Sequence, residues 1–414
     1  MTIGKGTFIA GSVVLALSAA QPAKALDADI VHWMTSASES AAIGVFADMW
    51  EAAGNTWSET AVAGGAEAIA VGVNRIAGGD PPTAMTFNTG RQFEDLIAQG
   101  LLADIEDVAE AGKWRDFLPA VLVDASTEDG KFYAVPFNVH GENWIYYNKK
   151  LFEELGAPPP DTWEHFFEAA DKLKAAGKIP LAHGGDPWQE RVTFNTVLSG
   201  IGGKELFLAV YRDHDIDAIH SDTFREVAET YGRLRDYVDE GKTGRSWNDA
   251  ANLVISGNAG MVIMGDWVKG EFTAAGKVAE VDYGCFVGPG KPYFQIGGDV
   301  LVFPKNDDPE VIEAQKELAA LVISPEAQVG FNDKKGSLPV RSDIDMSKLD
   351  ACARKGIETL YDPERQLPGY NFVFSPNLGG AVQDTISAYW NDPGMDADGF
   401  IEAIATTIST TPDE

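Results

Sequence analysis

The chain has 414 residues, a formal net charge of −31 at pH 7 and two cysteines. A chain of this length is expected to divide into two or three domains, because single cores rarely grow beyond about 250–300 residues. The strong negative charge argues against nucleic acid or an anionic membrane surface as a partner. Because 45% of the residues are hydrophobic and the acids are scattered, the composition is that of a globular protein.

The first 25 residues predict a secretory signal peptide. Lys5 provides a positive charge, residues 8–20 form a mostly apolar run, and Ala23-Lys24-Ala25 is a small-x-small cleavage site. We expect cleavage after Ala25 and a soluble protein in the periplasm, because no later segment approaches the roughly 18 apolar residues of a membrane helix. The alternative is a first helix that is buried in the fold.

Strands and helices alternate along the rest of the chain, which predicts an α/β architecture. Residues 29–33 are typical of a strand, a polar loop follows, and Ile43, Phe46, Met49 and Trp50 recur at helical spacing. Ligands of open α/β sheets bind beyond the carboxyl ends of strands, so this loop is placed where a ligand would bind. Further strands are predicted at residues 84–87, 132–136, 144–148, 260–265 and 300–303.

Two later helices carry explicit start signals. Asp161 is predicted to cap the first of them, with Glu164 three residues on as in a capping box, and Gly177 is predicted to end it. Ser324 precedes Pro325 at the start of the second helix, where proline is favoured.

The two cysteines, Cys285 and Cys352, can pair in an oxidising compartment. A disulfide requires close and correctly oriented Cβ atoms, which the sequence does not reveal. A disulfide and two separate buried thiols therefore remain equally open.

Catalytic motifs are missing from the sequence. It contains no Gly-x-Ser-x-Gly elbow, no phosphate-binding loop, no Gly-x-Gly-x-x-Gly fingerprint and no His-x-x-x-His pair, so we expect neither an enzyme nor a metal or cofactor. Tyr146 and Tyr147 are interpreted as packed faces of one strand rather than as iron ligands. A carbohydrate hydrolase remains the alternative, because it needs only two well-placed carboxylates.

The ten tryptophans are the strongest sign of a binding site. Trp50 and Trp163 fall on the apolar faces of helices and are predicted to be core residues. Four others lie beside polar or turn-forming residues: Trp33, Trp188, Trp247 and Trp267. An aromatic face can cover the C–H patch of a pyranose, whose hydroxyls need fixed donors and acceptors. For each of them, packing in the core is the alternative.

Several segments, taken in order along nearly the whole mature chain, resemble the extracellular solute-binding proteins of carbohydrate ABC importers, the class that contains maltose- and glucose-binding proteins. These segments are residues 133–136, 147–156, 160–164, 257–261, 265–267, 303–305, 324–328 and 336–340. Residues 32–39, 184–189 and 246–247 are closer to the glucose- and mannose-binding branch.

That resemblance implies a set of ligand-binding residues. Trp33 and Glu39 would contact the sugar, and Trp247 and Trp267 would stack on it. Asp299 and Lys335 would bind hydroxyls. Two further candidates follow from similar segments: Trp188, and His140 near a crossover between the lobes.

The sequence also departs from that branch at three positions. Met34 stands where a second tryptophan is expected, and Asn88 is the nearest match to an expected cationic or imidazole side chain. The late loop at residues 369–372 lacks the expected histidine. Because sites that bind hydroxyls discriminate strongly, these changes leave the identity of the sugar open.

The fold that the resemblance implies is the two-lobed α/β periplasmic binding protein fold, type II-like, with hinge crossovers and a cleft between the lobes. We expect one lobe from residues 26–136 and 300–345, and the other from residues 137–299 and 346–414. Crossovers are expected near residues 135–139, 298–302 and 342–347. The implied partners are a small-molecule sugar and the membrane permease subunits of an importer, and the protein is expected to be a monomer. A sugar-binding protein that acts with a chemoreceptor is a further alternative.

Overall fold

The computed structural model describes residues 1–2, 25–345 and 349–413. The predicted signal peptide lies almost entirely outside the described residues, as does part of the predicted crossover at residues 342–347. Within the described ranges, no helix combines the length and the apolar character that crossing a bilayer requires.

The strands are β1 (Asp27–His32), β2 (Thr56–Ala61), β3 (Ala84–Asn88), β4 (Thr127–Glu128), β5 (Lys131–Phe132), β6 (Ala134–Pro136), β7 (His140–Gly141), β8 (Trp144–Asn148), β9 (Ile179–Ala182), β10 (Ala259–Met264), β11 (Tyr283–Val287), β12 (Phe294–Gly297), β13 (Asp299–Val302) and β14 (Gln366–Pro368).

The α-helices are α1 (Ala37–Ala52), α2 (Gly65–Ala77), α3 (Glu94–Ala98), α4 (Glu106–Ala111), α5 (Ala120–Ser126), α6 (Lys149–Leu155), α7 (Trp163–Ala175), α8 (Pro187–Val197), α9 (Gly203–Tyr211), α10 (Ile216–Ile219), α11 (Asp222–Leu234), α12 (Trp247–Ile255), α13 (Val268–Ala274), α14 (Pro309–Val322), α15 (Pro325–Lys335), α16 (Ala351–Leu360), α17 (Tyr370–Val373), α18 (Pro376–Asn391) and α19 (Ala397–Thr410).

Two larger sheets organise these elements. The first has the strand order β2-β1-β3-β13-β6, in which β1 runs parallel to β2 and β3 while β13 runs antiparallel to β3 and β6. The second has the order β11-β8-β10-β9, in which only β9 and β10 are parallel neighbours. The predicted mixture of strands and helices is therefore confirmed.

A small third sheet is formed by strands that lie next to β6 and β13 in the sequence and by one later strand. It has the order β14-β12-β7, and the chain enters it from β6 through residues 137–139 and leaves it for β13 through Gly298. A Cβ at Gly298 would lie 2.6 Å from the carbonyl oxygen of Asn138, so the two passages approach each other too closely for a larger residue. Both passages coincide with predicted crossovers, and the lobe boundaries stay a prediction.

Alternation along β8 explains why it is buried on both faces. Tyr146 packs in the same apolar cluster as Phe46 of α1, whereas Tyr147 packs in a second cluster with Phe166 of α7. Neighbouring residues of a strand point to opposite faces, so β8 joins two cores. The interpretation of the two tyrosines as packing residues is confirmed, as is the buried position predicted for Trp50.

The structure corrects three details of the local predictions. Thr162, not Asp161, caps α7, because the Thr162 hydroxyl accepts the backbone N–H of His165 at 3.1 Å. The predicted strand at residues 132–136 is two strands that part at Tyr133: β5 pairs with β4, whereas β6 joins the first sheet. Trp163, predicted to lie in the core, is half-buried at the start of α7.

Cys285 of β11 and Cys352 of α16 form a disulfide, with their Cα atoms 6.0 Å apart. The bridge joins positions 67 residues apart and fixes α16 against the second sheet. Of the two possibilities that the sequence left open, the structure has the paired one.

Candidate functional site

The carboxyl ends of β1 and β3 and the first residue of β13 meet at one edge of the first sheet. Trp33 directly follows β1, and Asn88 ends β3. Because β13 is antiparallel to β3, its first residue, Asp299, pairs with Asn88. The edge at which a ligand is expected is therefore lined by residues from three separate parts of the chain.

His140, the first residue of β7, bonds to two carboxylates. Its Nδ1 donates to Oδ1 of Asp266 at 2.7 Å, and its Nε2 donates to Oδ2 of Asp299 at 3.2 Å. Each aspartate has a further partner: the backbone N–H of Gly141 donates to Asp266 at 2.9 Å, and the amide of Asn138 donates to Asp299 at 2.7 Å. The imidazole is thus fixed in position and orientation.

The environment of His140 favours its charged form. Burial disfavours an imidazolium, but the negative charges of Asp266 and Asp299 and the bonds to them outweigh burial and raise the pKa of His140 to about 9. The same pairing lowers the pKa of Asp299, although burial alone would raise it. At neutral pH the site therefore contains an imidazolium held between two carboxylates.

A second buried ion pair joins the N-terminus of α1 to the C-terminus of α15. Nζ of Lys335 lies 2.7 Å from Oε1 of Glu39. The other carboxylate oxygen of Glu39 accepts the backbone N–H groups of Thr35 and Ser36, each at 3.2 Å. Burial lowers the pKa of Lys335, but the charges of Glu39 and Asp299 outweigh it and raise that pKa above its ordinary value.

The carboxylate of Glu271 binds to the N-terminus of α1 from a helix that follows the second sheet. Oε1 of Glu271, in α13, accepts the Ser38 hydroxyl at 2.6 Å and the Ser38 backbone N–H at 3.1 Å. Negative charge at the first turn of a helix is stabilising because the N–H groups there have no partner within the helix. This contact joins α1, which packs against β2 of the first sheet, to α13, which follows β10 of the second.

Trp267 lies next to both ion pairs. Its ring meets the His140 ring edge-on, with centroids 5.0 Å apart, and Nζ of Lys335 lies 6.0 Å from the Trp267 ring centroid. The ring of Trp188, from the first turn of α8, is 6.1 Å away. Indole surface and charged hydrogen-bonding groups therefore share one small region.

The structure brings six of the predicted site residues into one connected group, namely Glu39, His140, Trp188, Trp267, Asp299 and Lys335. Asn88 adjoins the group through its pairing with Asp299, and its side chain donates to Gln92 at 3.0 Å. Trp33 and Trp247 are half-buried against the main core, and within the described ranges no hydrogen bond or ring contact joins them to the group. A ligand contact by any of these residues stays a prediction.

Sequence reasoning missed two members of the site, Asp266 and Glu271. Asp266 directly precedes Trp267, and Glu271 follows it by one helical turn, so both accompany a tryptophan that was singled out. Their partners, His140 and Ser38, are 126 and 233 positions away. Proximity to Trp267 was the only signal in the sequence that could have indicated them.

The chemistry of this group suits a neutral, hydroxylated ligand. Glu39, Asp266 and Asp299 provide acceptors, and Lys335 has N–H groups to donate beyond its bond to Glu39, whereas both N–H groups of His140 are already bonded to carboxylates. Within the described residues, no three His, Cys, Asp or Glu side chains are arranged to hold a metal ion.

The family comparison covers most of the chain. Residues 40–329 match the model of the bacterial extracellular solute-binding protein family. A probable sugar-binding periplasmic protein of Rhizobium meliloti (strain 1021) is 36% identical over 357 residues, which cover 86% of this chain and 85% of that protein. A protein of the same description from Brucella suis biovar 1 is 33% identical over 385 residues, which cover 91% of each chain.

Solved structures share the fold at low identity. Maltose-bound MalE3 of T. maritima has a TM-score of 0.76 and 20% identity, with 93% of this chain and 98% of that chain covered. The solute receptor AcbH, described as having an exclusive preference for β-D-galactopyranose, has a TM-score of 0.77 and 20% identity, with 92% and 96% covered. These likenesses confirm the two-lobed periplasmic binding protein fold.

The His140 ion pairs predict a specific pH dependence of stability. Because the pKa of His140 rises from 6.5 to about 9 on folding, its contribution is complete below pH 6.5 and is lost as the pH rises through 9. We expect the free energy of unfolding of the wild type to exceed that of His140→Gln by on the order of 3 kcal/mol at pH 6 and to converge with it above pH 9. Urea denaturation at several pH values measures this difference.

The buried His183 serves as an internal control for that experiment. Burial lowers the pKa of His183 to about 4, so His183 changes the free energy of unfolding only at pH values below 6.5. That pH range does not overlap with the range from pH 6.5 to above 9 in which His140 acts. Stability curves of wild type and His140→Gln that run parallel from pH 6 to above pH 9 would contradict the assignment.

Proposed function

The chain belongs to the family of bacterial extracellular solute-binding proteins, and on that premise we propose that it is the periplasmic substrate-binding component of an ABC sugar importer. Its relatives are binding proteins and not enzymes, so no bond in the ligand is made or broken. The proposed ligand is a neutral monosaccharide similar to glucose or mannose, or a short oligosaccharide. The proposed partners are the membrane permease subunits, with the binding protein itself a monomer.

One observation supports this ligand class above all others. Two buried ion pairs, His140 with Asp299 and Lys335 with Glu39, lie beside the indole ring of Trp267. A pyranose has an apolar C–H face, which an indole covers, and a rim of hydroxyls, each of which donates and accepts a hydrogen bond. An indole bordered by fixed donors and acceptors matches both features of that ligand.

The charge balance favours a neutral sugar over a charged one. An anionic ligand would face the carboxylates of Glu39, Asp266 and Asp299, and a cationic ligand would face Lys335 and His140. Charged groups that are already paired can still accept or donate to hydroxyls without any change of net charge. Asn88, in place of a cationic or imidazole side chain, keeps a neutral group at the end of β3, which supports a hydroxyl pattern different from that of glucose itself.

Closure of two lobes about the ligand is the proposed mechanism. The lobes are those expected from the sequence, residues 26–136 with 300–345 and residues 137–299 with 346–414. The contacts of Ser38 with Glu271 join them in the arrangement described here. A ligand held by residues from both lobes shifts the population toward the closed form, which the permease would recognise.

A thermal-shift screen with a panel of sugars tests the proposed function. A neutral sugar at 100 times its Kd should stabilise the protein by about 2.7 kcal/mol, because a ligand that binds only the native state adds to its stability. Amino acids, divalent metals and charged sugars serve as the comparison panel. Stabilisation by members of that panel and by no neutral sugar would refute the proposal, and turnover of a glycoside would support a hydrolase instead.

Trp267→Ala should weaken the affinity for the sugar identified in that screen by about 10- to 100-fold, because it removes the indole surface that covers the sugar ring. Titration calorimetry gives the Kd, and circular dichroism checks the fold. Trp57→Ala is the matched control, since Trp57 is half-buried on β2 beside Ala28, at the other end of β1 from the site. Equal affinities of the wild type and Trp267→Ala would show that Trp267 only packs.

Gly270→Ala should block closure without unfolding either lobe. A Cβ at Gly270 would lie 2.6 Å from the Lys335 carbonyl oxygen and 2.9 Å from the Ser38 Cβ, both of which belong to the lobe expected from residues 26–136 and 300–345. Alanine is favoured over glycine inside a helix by about 1 kcal/mol, so the separated lobe should tolerate it. We expect sugar affinity to fall by about tenfold or more while the melting temperature is kept.

Small-angle scattering with and without the sugar measures closure directly in that variant. Gly380→Ala is the matched control, because Gly380 lies in α18 with nothing within 4 Å of an added Cβ. Full compaction of Gly270→Ala on addition of the sugar would contradict the proposed closed state.

A further inference from the structure

Two charged side chains beside the site are buried without complete hydrogen bonding. Glu142 is 9% exposed and Arg191 is 8% exposed. Within the described residues, Oε2 of Glu142 and Nη1 of Arg191 make no hydrogen bond, and the two atoms are 4.0 Å apart. A buried charged group without a hydrogen bond is destabilising by about 1–3 kcal/mol or more, so this pair points to a partner that both atoms share.

The pair continues the candidate site along two elements. Glu142 follows His140 by two positions, so both side chains lie on the same face of an extended segment. Arg191 follows Trp188 by three positions on α8, which places both on one side of that helix. Glu142 also lies against Gly297, the cross-strand partner of His140, so the two groups of residues are close.

Neighbouring residues hold both side chains in place. The Arg191 guanidinium lies over the Tyr370 ring, 4.3 Å from its centroid, and its Nε donates to Gln383 at 3.0 Å. The Glu142 carboxylate lies against Gly297, where a Cβ would approach its Oε1 to 2.5 Å. Burial raises the pKa of Glu142, and the charge of Arg191 opposes that rise. Protein contacts therefore orient Arg191, and Glu142 lies between Arg191 and the backbone of Gly297.

The distance between the two atoms fits one shared oxygen. An oxygen atom about 2.8 Å from each would complete both hydrogen bonds across a gap of 4.0 Å. That oxygen must donate to the carboxylate and accept from the guanidinium, which a hydroxyl does. A carboxylate would be repelled by Glu142 and an ammonium group by Arg191.

We propose that Glu142 and Arg191 together bind one hydroxyl of the sugar and thereby help to determine which sugar the protein accepts. The inference rests on the proposed function, because it assigns a further part of the same ligand. A site that binds a hydroxyl through two charged groups discriminates more strongly against sugars that lack it than a site with neutral groups. The missing hydroxyl leaves both charges without a hydrogen-bond partner. Sugars that lack this hydroxyl are therefore rejected.

Monodeoxy analogues of the bound sugar test the proposal by calorimetry. The wild type should bind one of these analogues, the one that lacks the hydroxyl between Glu142 and Arg191, about 10- to 100-fold more weakly than the sugar, because two hydrogen bonds to charged groups are lost. In Glu142→Gln, the penalty for that position should shrink to about threefold or less, while the penalties at the other positions stay unchanged. Arg191→Lys should remove the same penalty and provides a second test if Glu142→Gln does not fold.

Glu190→Gln is the matched control, because Glu190 is a buried acid on the helix of Arg191 that also has one oxygen without a hydrogen bond, while its Oε1 accepts from Asn391 at 2.8 Å, and it lies outside the pair. It should leave the pattern of deoxy penalties as in the wild type. Loss of affinity in Glu142→Gln that is equal for every analogue, or an unchanged pattern, would mean that the pair holds water or serves stability, and would overturn the proposal. If the wild type binds sugar and Glu142→Gln gives either of these outcomes, the proposed function stands and only the role of the pair is refuted. If the wild type binds no sugar, the proposed function and the role of the pair are both refuted.

Discussion

The bonds of His140 to Asp266 and Asp299 determine how the parts of this molecule meet. His140 belongs to the small sheet that follows the passage from β6, Asp299 opens β13 of the first sheet, and Asp266 follows β10 of the second. One imidazolium therefore links the two larger sheets and the small sheet. Because its two N–H groups diverge from a rigid ring, its bonds constrain the direction as well as the distance of each aspartate. The side chains of Trp267 and Lys335 are arranged around that fixed point.

The second constraint is the close approach of backbones at α13. Gly270 allows this helix to touch the end of α15 and the start of α1, and that approach lets Glu271 reach Ser38. Residues with a side chain at position 270 would separate the two surfaces and with them the donors and acceptors on either side. The spacing between α13 and the ends of α1 and α15 therefore also sets the distance between the donors and acceptors that these helices carry.

The sequence predicted local features well because they depend on neighbours along the chain. The strand before Trp33, the helix that carries Phe46 and the proline at the start of α15 follow from periodicity and capping, and each is observed. The cap of α7 was misplaced by one residue because Asp161 and Thr162 are both good caps, and only the backbone geometry decides between them.

The ion pairs of the site were beyond such reasoning. Glu39 and Lys335 are 296 positions apart, and nothing in the local pattern joins them. Both were named through resemblance to a family, which also led to Asp299 but not to Glu271, Glu142 or Arg191. A resemblance transfers the residues that relatives share, whereas buried partners that hold those residues emerge only when distant segments are packed together. The pairing of Cys285 with Cys352 was undetermined for the same reason.

The buried charges near the site fall into two kinds, and the difference bears on selectivity. His140 is bonded through both ring nitrogens, and Lys335 and Glu39 are bonded to each other, so a ligand that meets them finds side chains already oriented, with little entropy to lose on binding. By contrast, Oε2 of Glu142 and Nη1 of Arg191 make no hydrogen bond to any described residue. Bonded groups contribute affinity to any sugar of the right shape, because they remain stable when a hydroxyl is missing. Incompletely bonded groups discriminate, because a ligand without the matching hydroxyl leaves them buried and without a partner.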